Sequence, residues 1–517
     1  MANYFVGIDI GCGGAKACII DDTGRTVGYG FKEHTITVSH ADVWSETDPN
    51  EYWNNICSFL QKIITSNHLD VSQIRGVSVS SAVPAIVMLD RSGAVINRGY
   101  NFLDNRAKDV VAEMRETIGR DACFAVSAYN IDEQSITSSL LWEKKHRPQD
   151  YARIYKVLSP DGFVTYKLSG RMLANYSVGT FFGPIFDIRK KQYDHDMCQK
   201  LGVDEEKLPE LYPCEQVIGG VTKDAAELTG LLEGTPVIAG TVDAFAGWLA
   251  GGATEAGQTQ INLGTAAVLG IVTGKPAFLH DIWNCIYPIH SEDNYVCFAT
   301  TTTGGYVMRH LRNNFSPYER FVESTGGYDA YDLLNLEAQK IHPGADGLLT
   351  LPYFMGARTP EFNINACGAV FGWGMNTTKG HLVRSMMEGV AMSAYRQYTA
   401  IRAQGVDTKG AIVMNEGGAK SRLWRRIFTD VFGYPTVMLK NRTGAPYGNA
   451  ILAGVSTGFL RDYSVALDWA EYVDPLEPDA KTHAMYMDYY ELFCSVYEHL
   501  REDYELRAAL TRKYAEG

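Results

Sequence analysis

Two short, mostly apolar runs around a glycine-rich turn near the N-terminus constrain the fold more than any other feature of the chain. The runs cover residues 6–10 and 17–20, and three glycines lie between them, Gly11, Gly13 and Gly14. Runs of strand length around such a turn predict a β-hairpin whose glycines adopt positive φ. The free N–H groups of the turn can face an anion, and Asp9 at the end of the first strand can hold a cation. The pattern therefore suits a metal-bound polyphosphate.

A single glycine hairpin is also explained by a plain tight turn, since glycine is favoured there for steric reasons alone. The chain repeats the device at residues 260–272, where Gly264 and Thr265 occupy the turn between two apolar runs. Two hairpins half a chain apart predict two similar halves that face one phosphate chain.

Length and charge narrow the class of protein. A chain of 517 residues exceeds what one core normally supports and predicts two domains. The net charge of −13 comes without a basic stripe, which argues against nucleic acid or an anionic membrane as partner. No signal-peptide pattern and no apolar stretch of membrane-spanning length occur, so we expect a cytoplasmic protein. The ten cysteines show no metal-ligand spacing, and we expect reduced thiols.

Local sequence signals predict the strands and helices that surround these hairpins. A run at 26–31 predicts a third strand of the first sheet. Asp48, Pro49 and Glu51 predict a helix with a capping box that runs to about residue 66. Residues 129–231 suggest helices with polar loops, and 381–404 a long core helix.

Two acids occupy positions where either a functional or a structural role is open. Asp243 follows a predicted buried strand and precedes a predicted helix at 244–250, where a catalytic base could lie; a helix N-cap is the alternative. Asp104 could bind substrate hydroxyls, or it could cap a helix while pairing with Arg106.

The second half carries two further glycine loops. Gly304 and Gly305 precede a predicted helix and would permit close approach of the backbone to a ligand. A strand at 411–414, a loop with Gly417 and Gly418, and a helix at 423–432 form a nucleotide-binding arrangement. The loop matches neither the Rossmann nor the Walker pattern.

Together these motifs resemble the FGGY carbohydrate kinases over nearly the whole chain. The resemblance rests on Gly-Ile-Asp-x-Gly at 7–11, Trp44-x-Glu46-x-Asp48-Pro49, Asp104-x-Arg106, Gly240-x-x-Asp243, Leu263-Gly264-Thr265, the 368–388 region and the 417–424 loop. It implies an α/β fold of two ribonuclease-H-like domains of the actin and hexokinase type with a cleft between them. It further implies an N-terminal domain at 1–253 for sugar and catalysis, and a C-terminal domain at 254–517 for the nucleotide.

The resemblance also implies roles for individual residues in Mg²⁺-dependent transfer of the ATP γ-phosphate to a hydroxyl of a sugar. Asp243 matches the catalytic base, and Asp9 and Asp243 match the metal site. Acceptor binding falls to Trp44, Glu46, Val83, Asp104 and Asp243. ATP binding falls to Gly11, Cys12, Gly13, Lys16, Gly264, Thr265, Gly304, Gly305, Gly417, Gly418, Ala419 and Ser421.

Three departures from the family pattern leave the acceptor open. The first phosphate loop has Cys12-Gly13 where Thr-Ser or Thr-Thr is usual, and Ala244 replaces an Asn or Gln after the catalytic acid. Residues 82–85 read Ala-Val-Pro-Ala where xylulokinase-like members have Gln-Met-His-Gly. A ketose is the first expectation, with a polyol, a sugar acid or a modified sugar as alternatives. An actin-like ATPase and a catalytically degenerate sugar sensor are the alternatives of other classes, and a homodimer is the default assembly.

Overall fold

The computed structural model describes residues 2–39, 44–301, 303–440 and 444–515. Two seven-stranded sheets dominate it. In the first sheet, three antiparallel strands are followed by two that run parallel to the first, in the spatial order β3-β2-β1-β4-β5. These strands are β1 (Tyr4–Gly11), β2 (Gly14–Asp21), β3 (Thr26–Glu33), β4 (Ile74–Ser81) and β5 (Pro236–Ile238).

The second sheet repeats this topology. Its central strands have the spatial order β8-β7-β6-β9-β10, again with an antiparallel hairpin, a third antiparallel strand and two parallel strands. The prediction of two similar halves is therefore confirmed. The strands are β6 (Thr259–Leu263), β7 (Ala267–Val272), β8 (Tyr295–Thr301), β9 (Ile412–Asn415) and β10 (Thr436–Leu439).

The remaining elements cover and connect the sheets. The other strands are Ile36–Ser39, Trp44–Thr47, Val87–Leu89, Gly99–Tyr100, Lys156–Leu158, Leu173–Asn175, Phe186–Asp187, Gln192–Tyr193, Glu210–Tyr212, Val217–Gly220, Thr241–Val242, Trp283–Ile286, Leu349–Leu351, Ala369–Phe371 and Tyr472–Leu476. The α-helices are α1 (Pro49–Ser66), α2 (Lys108–Ile118), α3 (Arg120–Ser127), α4 (Ile136–His146), α5 (Pro148–Arg153), α6 (Pro160–Ser169), α7 (Tyr176–Gly179), α8 (His195–Leu201), α9 (Lys223–Thr229), α10 (Asp243–Ala250), α11 (Gly305–Phe315), α12 (Pro317–Ser324), α13 (Ala330–Gln339), α14 (Lys379–Ala403), α15 (Arg422–Phe432), α16 (Ala445–Ser456), α17 (Ser464–Trp469) and α18 (Ala480–Ala515).

Helix α16 ties the end of the chain to the first sheet. Gly7 permits this, because a Cβ there would lie 1.8 Å from the carbonyl oxygen of Pro446. Gly448 does the same at the crossing of α16 and α10, where a Cβ would lie 1.8 Å from the oxygen of Ala246. Residues of the second half thus complete the core under β1, and the division of the chain at residue 253 stays a prediction.

Most predicted helices have their expected place. Helix α1 has the predicted start and end, and Asp48 caps it by accepting from the N–H of Asn50 at 2.9 Å. The capping box is wrong, because the Glu51 carboxylate accepts from the N–H of Thr35 instead. Helix α14 is confirmed as core, with Val383, Met387 and Val390 buried in the second lobe.

Two local predictions differ from the structure. None of Gly11, Gly13 and Gly14 has a φ in the left-handed region. Gly14 is required for a different reason, since a Cβ would lie 2.6 Å from the backbone carbonyl oxygen of Lys32. The 129–231 segment holds short strands as well as helices, among them Leu173–Asn175 paired with Glu210–Tyr212. Within the described residues, none of the helices is long and apolar enough to cross a bilayer.

Candidate active site

The first hairpin places a buried carboxylate at the end of the first sheet. Asp9 is 1% exposed, and its Oδ1 accepts from the hydroxyl of Ser80, its parallel neighbour on β4, at 2.8 Å. Lys16 pairs with Asp9 across the hairpin, with 3.4 Å between Nζ and Oδ2. Asn449 of α16 donates to the Ser80 hydroxyl at 2.7 Å and so fixes this arrangement from behind. The predicted metal residue Asp9 is therefore held rigidly, with Lys16 beside it.

Asp243 is the second carboxylate of the site. It is the first residue of α10, and its Oδ1 accepts from the N–H of Ala244 at 2.7 Å. Burial, and then the charge of Asp9, raise the pKa of Asp243 to about 7. The N-cap position belongs to Val242, so the capping alternative for Asp243 is wrong. A carboxylate with a pKa near neutrality suits proton transfer at physiological pH.

Cys12 in the turn of the first hairpin also lies close to Asp243. Burial, and then the negative charge of Asp243, raise the pKa of the Cys12 thiol to about 11. The thiol is therefore protonated at neutral pH and is a poor nucleophile. Its backbone, together with Gly11 and Gly13, forms the tip of the hairpin.

The second hairpin is built against the glycine pair at 304–305. The N–H of Gly304 donates to the carbonyl of Thr265 at 2.8 Å, and that of Gly305 to Gly264 at 2.6 Å. A Cβ on Gly304 would lie 2.5 Å from the backbone of Ala266. The close approach that these glycines permit is thus to the hairpin itself, while the side chain of Thr265 is exposed.

The 416–421 loop joins this group from β9. A Cβ on Gly418 would lie 2.5 Å from Leu263, whereas one on Gly417 would meet nothing within 4 Å. Ala419 is buried. The Ser421 hydroxyl caps α15, accepting from the N–H of Trp424 at 3.2 Å and donating to Asn335 Oδ1 at 2.9 Å. Ser421 is therefore already engaged in holding the loop.

One interaction connects the loops of the two sheets. Glu416 has a φ of 74° at the end of β9, and its side chain approaches the position of a Cβ on Gly264 to 3.8 Å. The charge of Glu416 contributes to the raised pKa of Asp243. The loop after β9 therefore lies near the acid of the first lobe, with the second hairpin beside it.

The predicted acceptor residues Trp44, Glu46 and Asp104 gather around Arg106. The Arg106 Nη2 donates to Glu46 Oε1 at 2.8 Å and to Asp104 Oδ2 at 2.7 Å, and its guanidinium carbon lies 4.2 Å from the centre of the Trp44 ring. Asp104 Oδ2 also accepts from the N–H of Ser45 at 2.7 Å.

This network shows how the structure holds Asp104, whose binding to a substrate hydroxyl stays a prediction. Its Oδ1 accepts from Nε of Arg106 at 2.9 Å, so both carboxylate oxygens are bound to the protein. The salt bridge is confirmed, and the helix cap is wrong because α2 begins at Lys108 after Ala107. Val83 is half-buried and packs against the same hydrophobic core as Trp44.

The donor set fits a magnesium ion that arrives with a nucleotide. Mg²⁺ prefers oxygen ligands and is commonly held by one or two carboxylates together with phosphates and water. Asp9 and Asp243 supply two carboxylates close enough for the charge of one to raise the pKa of the other. Within the ranges that the structure describes, no group of three or more His, Cys, Asp or Glu side chains could hold a metal alone.

A duplicated β3-β2-β1-β4-β5 sheet with a glycine hairpin in each half, and with Asp9 and Asp243 beside the first hairpin, defines a two-lobed fold of the actin and hexokinase ATPase type. Models of the FGGY family of carbohydrate kinases match the chain in both lobes, the N-terminal domain over residues 4–250 and the C-terminal domain over 259–457. The chain belongs to this family and is a sugar kinase. The sugar kinases of this family use ATP.

Relatives of known activity cover almost the whole chain. A xylulose kinase of Bacillus subtilis is 24% identical over 96% of this chain and 97% of its own. A gluconokinase of Bacillus licheniformis is 24% identical over 98% and 97%. The crystal structure of a xylulose kinase from Rhodospirillum rubrum superposes with a TM-score of 0.89 at 25% identity, covering 97% of this chain and all of that one.

Proposed function

We propose that this kinase transfers the γ-phosphate of Mg²⁺-bound ATP to a hydroxyl of a ketose, with Asp243 as the general base. The observation that carries the proposal is the environment of Asp243 near Asp9 and the first glycine hairpin, where burial, and then the charge of Asp9, raise the pKa of Asp243 to about 7. An acid that titrates near neutrality beside a hairpin tip can accept a proton from a hydroxyl placed there.

The chain's own residues supply positioning and charge. Phosphoryl transfer asks the protein mainly to align the acceptor and to neutralise phosphate charge. We assign the neutralisation to Lys16 and to backbone N–H groups of the two hairpins and the Gly417 loop, with Thr265 as a hydroxyl donor on the exposed turn. Mg²⁺, held by Asp9 with Asp243, would supply the remaining positive charge.

The glycines at 304 and 305 would act on ATP through the second hairpin, which they support. Ala419 and Ser421 would act by shaping the loop. On the acceptor side, Trp44, Glu46 and Asp104 with Arg106 form a rigid wall, and Val83 lies on the segment that follows β4. Closure of one lobe on the other would exclude water as a competing acceptor.

The ketose assignment is supported by the similarity to xylulose kinases. A sugar acid is the second candidate, because a gluconokinase is as similar in sequence. A polyol or a modified sugar follows as a further alternative. Ala82, Ala85 and Ala244 depart from the pattern of xylulokinase-like members, so the acceptor has to be determined on this chain itself. Cytoplasmic location and a homodimeric state stay predictions.

A coupled assay of ADP release tests the proposal across ketoses, alditols and aldonates, each with and without Mg²⁺. We expect one ketose to stimulate ADP release far above the rate without sugar, and its phosphate ester to appear in equal amount. ADP release that no sugar stimulates, or a product formed equally well without Mg²⁺, would contradict it.

A further inference from the structure

The amide of Asn449, on α16, lies behind Asp9 in the first lobe. Asn449 is 0% exposed, and its Nδ2 donates to the carbonyl of Ile8 and to the hydroxyl of Ser80, each at 2.7 Å. Ser80 is equally buried, and its hydroxyl donates to Asp9 Oδ1 at 2.8 Å. Side chains of α16, β4 and β1, which are far apart in the sequence, thus form one continuous chain of hydrogen bonds.

The direction of each bond in this chain follows from the groups at its ends. The atom of Asn449 that faces the Ile8 carbonyl has to be the NH₂ group, because a carbonyl oxygen only accepts. An NH₂ group only donates, so the Ser80 oxygen accepts from it and keeps its single proton for Asp9. Turning the amide over would set Asn449 Oδ1 against the carbonyl oxygen of Ile8, where no proton is available.

The two oxygens of Asp9 therefore have different surroundings. Oδ1 faces the neighbouring strand β4, where it accepts from Ser80. Oδ2 lies 3.4 Å from Lys16 Nζ across the hairpin. A Cβ on Gly11 would lie 3.6 Å from this Oδ2 and 3.5 Å from Lys16 Nζ, so both atoms are at the turn of the hairpin. Oδ2 is thus the oxygen on the side that we assign to Mg²⁺ and the phosphates.

A hydrogen bond to one oxygen restricts how a carboxylate can turn. The last side-chain torsion of aspartate is broad, so a carboxylate without such a bond adopts a range of orientations. Metal ligands in proteins are commonly oriented by partners that do not themselves touch the metal. Loss of such a partner typically weakens metal binding by about 10–100-fold.

We infer that Asn449 is a positioning residue for Asp9: through Ser80 it keeps Oδ1 occupied and holds Oδ2 at the turn of the first hairpin, where Mg²⁺ arrives with ATP. The inference rests on the proposed function and concerns how the metal carboxylate is oriented, whichever sugar is the acceptor. It also gives α16 a role beyond packing on β1. A residue from the far end of the chain completes the site of the first lobe.

A double-mutant cycle of Asn449→Ala and Ser80→Ala tests this role. The readout is the Kd of the Mn²⁺–ATP complex without acceptor, from the relaxation rate of water protons, compared with the Kd of metal-free ATP. We expect the Kd of Mn²⁺–ATP to rise about tenfold in Ser80→Ala and about three- to tenfold in Asn449→Ala, the effect of one lost hydrogen bond. The double variant should be no weaker than Ser80→Ala, because Asn449 acts through Ser80. The Kd of metal-free ATP should stay at the wild-type value.

Asn449→Asp reverses the chain of hydrogen bonds and keeps the shape of the side chain. Its carboxylate only accepts, so it draws the proton of Ser80 away from Asp9. We expect the Kd of Mn²⁺–ATP to rise at least as much as in Asn449→Ala. Crystal structures of the metal-free variants add a readout that needs neither metal nor turnover: the Asp9 carboxylate should turn, and Oδ2 should move away from Lys16.

The matched control is Asn55→Ala on α1. Asn55 is also buried in the first lobe, at 5% exposure, and its Nδ2 lies 3.0 Å from the carbonyl oxygen of Glu33 and 3.2 Å from Nδ1 of His34. This variant likewise removes a buried amide, so it should lower the melting temperature. It should leave the Kd of Mn²⁺–ATP unchanged, which separates lost packing from lost positioning of Asp9.

The outcomes distinguish this inference from the proposed function. A wild-type protein that prefers Mn²⁺–ATP to ATP alone, with folded Asn449→Ala and Asn449→Asp that keep both this preference and the orientation of Asp9, overturns the inference and leaves the kinase assignment intact. Additive effects of Asn449→Ala and Ser80→Ala overturn it as well, since Asn449 would then act independently of Ser80. A wild-type protein with equal Kd for ATP with and without Mn²⁺ contradicts the metal role of Asp9 in the proposed function, and the inference with it.

Discussion

The two glycine hairpins occupy equivalent places in the duplicated sheets, yet only the first is charged. Asp9 and Asn262 each lie two residues before the first glycine of the turn, and each pairs with the neighbouring parallel strand, at Ser80 and Asn415. Across the hairpin Asp9 faces Lys16, whereas Asn262 faces Val268. The same backbone arrangement therefore carries two ionised side chains, Asp9 and Lys16, in one lobe and the uncharged amide of Asn262 in the other.

The difference shows how two sheets of the same topology can carry different functional groups. A second carboxylate at Asn262 would add negative charge on the side that we assign to the phosphates, and would repel them. The neutral hairpin instead offers backbone, held in place by Gly304 and Gly305. Ionised groups are concentrated around Asp243, where we propose that the proton is accepted. Each of the following substitutions either removes this contrast or makes it sharper.

Replacing Asp243, the acid beside the charged hairpin, should have the largest effect on activity. Asp243→Asn keeps the size of the side chain and an oxygen for the N–H of Ala244, but it cannot accept the proton. We expect kcat to fall by about 10²–10⁴-fold, the usual contribution of a general base. The Kd for ATP, measured calorimetrically, should change little. Turnover near the wild-type rate would remove Asp243 from this role.

Asp9→Asn makes the first hairpin resemble the second. It deletes one of the two carboxylates that we assign to Mg²⁺, and we expect the Mg²⁺ concentration for half-maximal activity to rise about tenfold or more. The readout is a Mg²⁺ titration of activity at fixed ATP. Ser80→Ala serves as a control that keeps the charge of Asp9 while removing its hydrogen bond. An unchanged Mg²⁺ requirement in Asp9→Asn would place the metal elsewhere.

The converse change, Asn262→Asp, adds charge to the neutral hairpin. Asn262 Oδ1 is buried without a hydrogen-bond partner among the described residues, so the substitution breaks no hydrogen bond at this atom. What it changes there is the charge. We expect the Kd for ATP to increase about three- to tenfold, because a like charge near the phosphates is only partly screened. Tighter ATP binding would show that the second hairpin is a cation site like the first.

Cys12→Thr should have the smallest effect. The thiol is protonated and the turn offers its backbone to the phosphates, so we expect kcat and the KM for ATP to stay within about threefold of wild type. Steady-state kinetics with varied ATP measure this. A collapse of ATP affinity would show that the tip of the hairpin is more specialised than its backbone suggests.

Local patterns in the sequence were sufficient to predict the two hairpins and helix α1. Strand-length apolar runs around glycines predicted both hairpins, and capping signals predicted α1 to within its observed bounds. The acids Asp9 and Asp243 stood out because Asp9 lies at the end of a predicted strand and Asp243 directly follows one, and the charge of Asp9 acts on Asp243 in the structure. Such features depend on neighbours in sequence, which is why they could be predicted.

Features that depend on contacts between residues far apart in the sequence could not be predicted. Nothing near Gly7 in the sequence says that Pro446 packs on it, and nothing near Gly304 says that its neighbour is the Gly264 hairpin. The pairing of Asp104 with Arg106 was one of the predicted alternatives, but the bond from the distant N–H of Ser45 to the same carboxylate was not predicted.

The most direct test of the account is the pH dependence of activity in wild type and Asp9→Asn, measured with both substrates limiting so that the free enzyme is reported. Asp243 must be ionised to accept a proton, and its pKa is raised to about 7, so wild-type activity should rise with pH through that value. Removing the charge of Asp9 should lower the pKa of Asp243 and move the rise to more acidic pH. A rise at the same pH in both proteins would contradict the claim that these two acids form one site.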